Sequence, residues 1–239
     1  MSDTTAKTAK KFEIDLQELL EAGVHFGHQS YRWNPKMKDF IYTEQNKVHI
    51  FDLVKTAAQL EEAMNMAYEL GRKGKNLIFV GTKRQAQDII REQADAVGAM
   101  YITTRWMGGF LTNWEQVSKS IDKMNTMRKG LATGRYDHYT KYERMQMQKD
   151  VDRLARFFEG VKDLKQVPDA LFVVDINEEQ VAAREAASMG VPVIALVDSN
   201  GNPDLADIVV PANDDAVSSI TLLTSMIAKA YGEGKKQRK

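Results

Sequence analysis

The sequence predicts an α/β protein in which a doubly wound sheet of about five parallel strands is covered by helices on both faces. Short, wholly apolar runs alternate with amphipathic segments, a pattern typical of buried parallel strands and their covering helices. Two long amphipathic segments interrupt this alternation where a compact domain needs only a short loop. They predict an antiparallel helical hairpin inserted into the α/β domain of this 239-residue chain.

A short helix and two short strands are predicted before the alternation begins. The segment EIDLQELLEAG predicts a helix ended by Gly23, and Asn34-Pro35 predicts a turn. FIYTEQNKVHIFDL predicts two strands around a polar turn. Asp52 is then expected to cap a helix that runs to about Leu70.

The strands of the parallel sheet are predicted in NLIFVG, AMYIT, DALFVVD, VPVIALVD and DIVVP. Between them, one helix is expected to begin at Thr82 and run to about Val97, and another to end at Gly190. Asn213 is expected to cap the last helix. Asp214 and Asp215 would then lie in its first turn, where the helix dipole favours acidic groups.

Apolar residues three and four positions apart define the hairpin helices: Val117, Ile121 and Met124 in the first, and Met147, Val151, Leu154, Phe158 and Val161 in the second. The predicted α/β/α domain therefore comprises residues 12–113 and 166–231, with the hairpin at 114–165. A short flexible arm is predicted for residues 1–11 and a basic tail for residues 232–239.

Composition excludes several classes of protein and indicates a polyanionic partner. Cysteine is absent, so disulfides and thiolate metal sites are excluded. No apolar run is long enough to cross a membrane, and the first residues do not resemble a secretory signal, so a cytoplasmic location is predicted. The net charge of zero hides an asymmetry: residues 118–165 hold 12 Lys/Arg against 7 Asp/Glu, whereas residues 166–231 hold 2 against 10. Such separation favours a polyanion on one side of the molecule.

The turn at Gly81–Arg84 follows a strand and opens a predicted helix, so its backbone N–H groups could meet a phosphate. It matches neither the P-loop nor the dinucleotide-binding pattern. One alternative is therefore a nucleotide-binding α/β enzyme that uses this turn as its phosphate site. Another is a protein-interaction module that binds a partner helix along the hairpin. Neither a catalytic motif nor a small-molecule substrate is indicated by the sequence.

The motif HFGH presents two histidines, His25 and His28. A metal site would need a further ligand, such as Asp198. Two hydrogen-bonded structural histidines are the favoured interpretation, so no metal or other cofactor is predicted.

Basic and aromatic residues interleave in three irregular segments, YRWNPKMK, TKR and RWMGGFLTNW. Guanidinium groups bind phosphates and aromatic rings stack on bases, so this composition suits RNA. The candidate RNA-binding residues are Arg32, Trp33, Lys36, Lys38, Lys83, Arg84, Arg105 and Trp106. For the tryptophans, Trp114 included, a buried packing role is the favoured alternative, and the neighbouring Arg and Lys residues are the better candidates for RNA contact.

Six motifs in order and spacing closely resemble the bacterial-type small-subunit ribosomal protein two family: AGVHFGHQSYRWNPKM, FVGTKRQAQ, RWMGGFLTNW, PDALFVVD, VPVIALVDSN and VPANDDAVSSI. The resemblance covers about Leu16 to Ala230. The family's VDTN is Val197-Asp198-Ser199-Asn200 here, a mild departure.

The resemblance implies a flavodoxin-like α/β/α domain with an α-helical hairpin and a structural protein rather than an enzyme. It implies binding to 16S rRNA near the head–body junction of the small subunit, contacts with other small-subunit proteins, and help in docking ribosomal protein one. The acidic region 166–231 would then face away from RNA. Some members of the family hold a metal near the first histidine and the strand-end aspartate, positions that correspond to His25 and Asp198.

Overall fold

Two sheets, one antiparallel and one parallel, form the framework of the computed structural model, which describes residues 12–238. Residues 1–11, for which a flexible arm is predicted, and residue 239 lie outside the described part of the chain. Among the described residues, none of the helices combines the length and apolar character needed to span a membrane.

The antiparallel sheet has three strands in the order β1-β3-β2 and follows a short helix: α1 (Leu16–Glu21), β1 (Phe26–Gln29), β2 (Ile41–Gln45) and β3 (Val48–Phe51). Asn46 and Lys47 have φ angles of 52° and 62°, the left-handed backbone that a tight two-residue hairpin requires. The two predicted strands are thus β2 and β3. The first strand, β1, is a third one that the prediction missed.

The second sheet contains the predicted parallel strands. In chain order the elements are α2 (Leu53–Arg72), β4 (Leu77–Val80), α3 (Gln87–Val97), β5 (Met100–Ile102), α4 (Trp114–Ala132), α5 (Lys141–Phe158), β6 (Ala170–Val174), α6 (Gln180–Met189), β7 (Val193–Val197), β8 (Ile208–Pro211) and α7 (Val217–Lys236). The strand order β5-β4-β6-β7-β8 is that of a flavodoxin-like sheet, so the predicted fold class is confirmed.

Alternate residues of each strand face opposite hydrophobic cores. Phe79 and Phe172 lie in the core covered by α2, α3 and α7. Their neighbours Ile78 and Val173 lie in the core covered by α6 and the ends of α4 and α5. Full burial on both faces explains why these strands are continuous apolar runs in the sequence.

Helices α2 and α7 pack with their backbones in close contact. A Cβ on Gly71 would lie 2.2 Å from the carbonyl oxygen of Tyr231, and one on Gly234 would lie 2.1 Å from that of Tyr68. Only glycine permits this approach. Residues 232–236, predicted to begin a basic tail, are therefore the packed last turns of α7.

Helices α4 and α5 lie against each other with opposite chain directions. The Asn125 side chain of α4 donates to the Lys162 carbonyl at 2.9 Å. Three residues further along α4, Arg128 pairs with Glu159, which lies three residues before Lys162. Thr140 and Glu143 form a reciprocal capping box at the start of α5. These contacts agree in direction with an antiparallel pair, while the hairpin as an insertion and the domain boundaries drawn around it stay predictions.

Two predicted helix starts are wrong. Helix α3 begins at Gln87 rather than Thr82, because the Thr82 N–H donates to the Glu179 carboxylate outside the helix. Helix α7 begins at Val217, and the Asn213 side chain accepts from the N–H groups of Asp215 and Ala216 in a turn before it. Asp214 and Asp215 are consequently not first-turn residues.

Candidate nucleic-acid interface

The carboxyl ends of the parallel strands carry a network of charged side chains around Lys83. Its ammonium lies 3.0 Å from a carboxylate oxygen of Asp175, 2.7 Å from one of Asp214 and 2.6 Å from one of Asp215. Only 15% of the Lys83 side chain is exposed. Burial alone would lower the pKa of Lys83, but the charge of Asp214 and hydrogen bonds to Asp214 and Asp215 raise it overall. Lys83 therefore remains charged and is already paired within the protein.

The turn predicted as a possible phosphate site is occupied by groups of the chain itself. Glu179 is buried and accepts a hydrogen bond from the Thr82 N–H at 2.9 Å. The Gly81 N–H donates to the Ile102 carbonyl at 3.1 Å. With Lys83 also paired, the Gly81 and Thr82 N–H groups and the Lys83 ammonium are bonded within the chain and are not available to a nucleotide phosphate.

His28, rather than His25, is the histidine that meets Asp198. Its Nδ1 lies 3.0 Å from Asp198 and its Nε2 lies 3.3 Å from Asp215. The hydrogen bond with Asp198 is the main cause that raises the pKa of His28. The ring of His25 instead packs at a tilt on Phe26 with ring centres 4.0 Å apart, and His25 is not part of the group that His28 forms with Asp198, Asp214 and Asp215.

Four side chains could hold a divalent cation: His28, Asp198, Asp214 and Asp215 each offer a ligand atom, and these atoms lie within 4.8 Å of one another. All four already take part in the ion pairs and hydrogen bonds described above. The arrangement joins β1 and the ends of β7 and β8, so it stabilises the antiparallel sheet against the parallel one.

The RWMGGFLTNW segment folds as an aromatic cluster held by one carboxylate. The rings of Trp106 and Phe110 are 4.9 Å apart, and those of Phe110 and Trp114 are 6.0 Å apart. Glu185 of α6 accepts from the N–H groups of Gly109 at 2.7 Å and Leu111 at 3.0 Å. Trp106 is 7% exposed, and its indole N–H also points at Glu185, at 3.4 Å. Trp106 is therefore mainly a packing residue.

Sequence reasoning missed Glu185, although a signal was present. Glu185 lies next to Ala186 and within one turn of Ala182 and Ala183, the alanines that α6 buries. An acidic residue beside the buried stripe of a helix requires donors to satisfy it. The glycine-containing loop supplies them from its backbone.

The remaining predicted RNA-binding residues differ in solvent exposure and in their partners within the chain. Arg32, Lys38, Arg84 and Arg105 are exposed. Arg32 lies over the ring of Tyr31, 5.4 Å from its centre. Lys36 forms an exposed salt bridge with Asp204. Trp33 is half-buried and its ring centre lies 5.2 Å from that of His49.

Arg84 and Arg105 follow neighbouring strands. Val80 at the end of β4 pairs with Ile102 at the end of β5, and the two arginines come four and three residues later. Both strands end at the same edge of the sheet, since they are parallel. The structure thus brings two of the three basic segments to one corner, where the 102–113 loop also exposes Met107 and Gly108.

A parallel sheet with helices on both faces, a pair of long appended helices and strand ends filled by internal ion pairs define a structural α/β protein. Residues 19–234 match the family described as Ribosomal protein S2. One relative, the small ribosomal subunit protein uS2 of Coprothermobacter proteolyticus, is 47% identical over 225 residues, which cover 94% of this chain and 84% of that protein.

The chain belongs to the ribosomal protein S2 family, whose members are structural, non-enzymatic proteins of the small ribosomal subunit and of translation. The resemblance found in the six sequence motifs is confirmed. The alternative of a nucleotide-binding enzyme built on the Gly81–Arg84 turn is wrong, in agreement with the internal pairing of that turn.

Proposed function

We propose that this chain binds 16S rRNA near the head–body junction of the small subunit, within cytoplasmic ribosomes. The observation that carries the proposal is the exposure of Arg84 and Arg105 at the ends of two adjacent strands. Two guanidinium groups at one corner can neutralise neighbouring phosphates of an RNA backbone. Family membership supports the same partner.

The predicted site residues divide into two groups by their surroundings. Arg32, Lys38, Arg84 and Arg105 are exposed and are proposed to contact phosphates directly. Lys36, Lys83, Trp33 and Trp106 have partners within the chain and are proposed to hold the surface in shape. Phosphate contacts of this kind position the protein, whereas specificity comes from RNA shape and unpaired bases.

The paired helices are proposed to extend the RNA contact. Six exposed basic side chains of residues 114–158 have no ion pair among the described residues: Lys123, Lys129, Arg135, Lys141, Lys149 and Arg156. Tyr142 is 65% exposed beside Lys141 and offers a ring for stacking. The hairpin therefore combines free charge with an aromatic surface.

A separate apolar patch is proposed to dock ribosomal protein one. Leu20, Tyr42 and Val54 are exposed and line a shallow depression of about 240 Å³ together with Leu53. Exposed apolar patches of this kind are typical of protein–protein contacts. The other small-subunit proteins are further proposed partners.

Sedimentation of a cell lysate through sucrose at low and high salt tests the rRNA proposal. We expect the chain to migrate with small subunits at low salt and to dissociate as salt rises, because each phosphate contact releases counterions. Migration as a free 27.0 kDa species at both salts would contradict the proposal.

Substitution of Val54 by Glu tests the docking proposal, with Val217→Glu as a control at another exposed valine. The measurement is the amount of ribosomal protein one on purified subunits.

A further inference from the structure

A cleft of about 280 Å³ lies at the open edge of the parallel sheet. Edge strand β5 and the residues after it form its floor, with Arg91 of α3 on one side and Arg156 of α5 on the other. Because α3 and α5 belong to the layers on opposite faces of the sheet, the cleft continues around the sheet edge from one face to the other.

Close backbone contacts fix the walls of this cleft. A Cβ on Gly160 would lie 2.2 Å from the carbonyl oxygen of Tyr101, so the segment after α5 packs directly on β5. The hydroxyl of Thr104 donates to the Arg156 carbonyl at 2.9 Å and ties the end of α5 to the 102–113 loop. The position of Arg156 relative to the sheet is therefore set by the fold.

In the described part of the chain, the two arginines of the cleft lining are unpaired or only weakly paired. Among the described residues, the Arg156 guanidinium has no hydrogen bond or salt bridge, and Arg91 has only a 3.6 Å approach to Asp88, which is 94% exposed. The acid in the lining, Glu159, is neutralised by Arg128 and Lys162, each at 3.1 Å. Hydrogen bonds from Arg128 lower the pKa of Glu159, as expected for a fully ionised, paired carboxylate.

We infer that this cleft, with Arg91 and Arg156, binds a phosphodiester group of RNA, an inference that rests on the proposed rRNA binding. A guanidinium matches two phosphate oxygens, and two facing arginines can hold one backbone phosphate or two successive ones. Thr103 and Thr104 lead directly from the cleft to Arg105. The cleft therefore continues the Arg84–Arg105 corner into a basic track around the sheet edge. A repeating polyanion fits this track better than a single acidic side chain of a protein does.

The test compares variants of the full chain in binding to a 16S rRNA transcript at several salt concentrations. The double variant Arg91→Gln/Arg156→Gln removes the cleft charge, and Arg153→Gln/Arg184→Gln removes the same charge from two exposed sites outside it. Arg153 lies one turn before Arg156 on α5 and is paired with Asp150, which makes it a close control. Circular dichroism and thermal melting check that both variants fold.

We expect the cleft variant to bind roughly tenfold more weakly and its salt slope to fall by about one to two, while the control variant changes little. Equal losses in both variants would show that net charge alone matters and would overturn the inference. If the wild-type chain binds the transcript and the cleft variant binds it with the same affinity, the inference is also overturned. Absence of wild-type binding would instead overturn the proposed function itself.

Measuring how much of each variant enters small subunits distinguishes RNA from an acidic protein as the ligand of the cleft. The same cleft variant should lose incorporation in parallel with its loss of RNA affinity. Full RNA affinity together with poor incorporation would assign the cleft to a protein neighbour and would overturn the inference.

Discussion

Lys83 and Asp214 form an ion pair that links the end of β4 to the segment after β8, with the ammonium 2.7 Å from the carboxylate. Asp214 is 1% exposed, and two further carboxylates lie within 3.0 Å of the same ammonium. One lysine thus compensates three acids that the topology of the parallel sheet brings together. Lys83 is therefore part of the folded framework and differs in role from the exposed arginines beside it.

Substitution of Lys83 by Met should destabilise the protein by roughly 3 kcal/mol, because it leaves buried carboxylates without their counter-charge. The figure is at the low end for a broken buried pair, since Asp215 is half exposed and stays hydrated. Urea unfolding at pH 7 measures the change. Lys36→Met, which breaks the exposed pair with Asp204, serves as control and should cost at most about 1 kcal/mol. Equal stability of the two variants would contradict the role assigned to Lys83.

The free energy of unfolding should fall as pH rises from about 4 to 7, through Asp214. Burial, followed by the charges of Asp175 and Asp198, raises the pKa of Asp214 from 3.8 to about 7. In this range the folded chain binds more protons at Asp214 than the unfolded chain does, so raising the pH favours unfolding. His28 has the same sign, because its pKa is also raised, but its contribution is lost only above pH 6.5.

Unfolding in urea at pH 4.5, 5.5 and 6.5 measures this dependence in the wild type and in Asp214→Asn. The substitution should flatten the curve over this range, whereas Asp204→Asn, at an exposed position, should leave its slope unchanged. A slope that persists in Asp214→Asn would assign the pH dependence to other groups.

The 102–113 loop should depend on Glu185. In the wild type, backbone N–H groups of the loop donate to the two carboxylate oxygens of Glu185. In Glu185→Gln, one of these oxygens is replaced by an amide NH₂ group, which is itself a donor and faces the backbone N–H groups. We expect a loss of roughly 1–3 kcal/mol in unfolding free energy and a red shift of tryptophan fluorescence, because Trp106 packs against the same group. Glu92→Gln, at an exposed position of α3, is the matched control and should leave both measurements unchanged. An unshifted spectrum and wild-type stability in Glu185→Gln would contradict the anchoring role.

The parallel sheet could be predicted from sequence because full burial leaves continuous apolar runs, as in Leu77–Val80 and Val193–Val197. Strand β1 could not, because FGHQ is short, partly exposed and stabilised by contacts far along the chain. The His28 N–H donates to Asp198 and Ser199, 170 and 171 residues away. A local sequence pattern does not reveal hydrogen bonds between residues so far apart in the chain.

The candidate site was predictable in composition but not in geometry. The basic and aromatic segments were found from their residue types, yet the same types serve packing and internal ion pairs. Whether Lys83 points to solvent or to carboxylates depends on Asp175 and Asp214, which approach it only once β4, β6 and β8 align. Arg91 and Arg156 were missed for the same reason, since the cleft exists only where α5 meets β5.

The double variant Arg84→Gln/Arg105→Gln should bind a 16S rRNA transcript more weakly and be depleted from small subunits without loss of stability. Both side chains are exposed, so their removal leaves no buried group unpaired. Each lost phosphate contact should reduce the salt slope of binding by about one. Arg72→Gln/Arg184→Gln removes the same charge from α2 and α6 and should retain affinity. Filter binding over a salt series and quantification of the chain in purified subunits measure the two effects. Normal incorporation of the Arg84/Arg105 variant would contradict the assignment of this corner to RNA, whereas weakened incorporation with a reduced salt slope would establish direct phosphate contact.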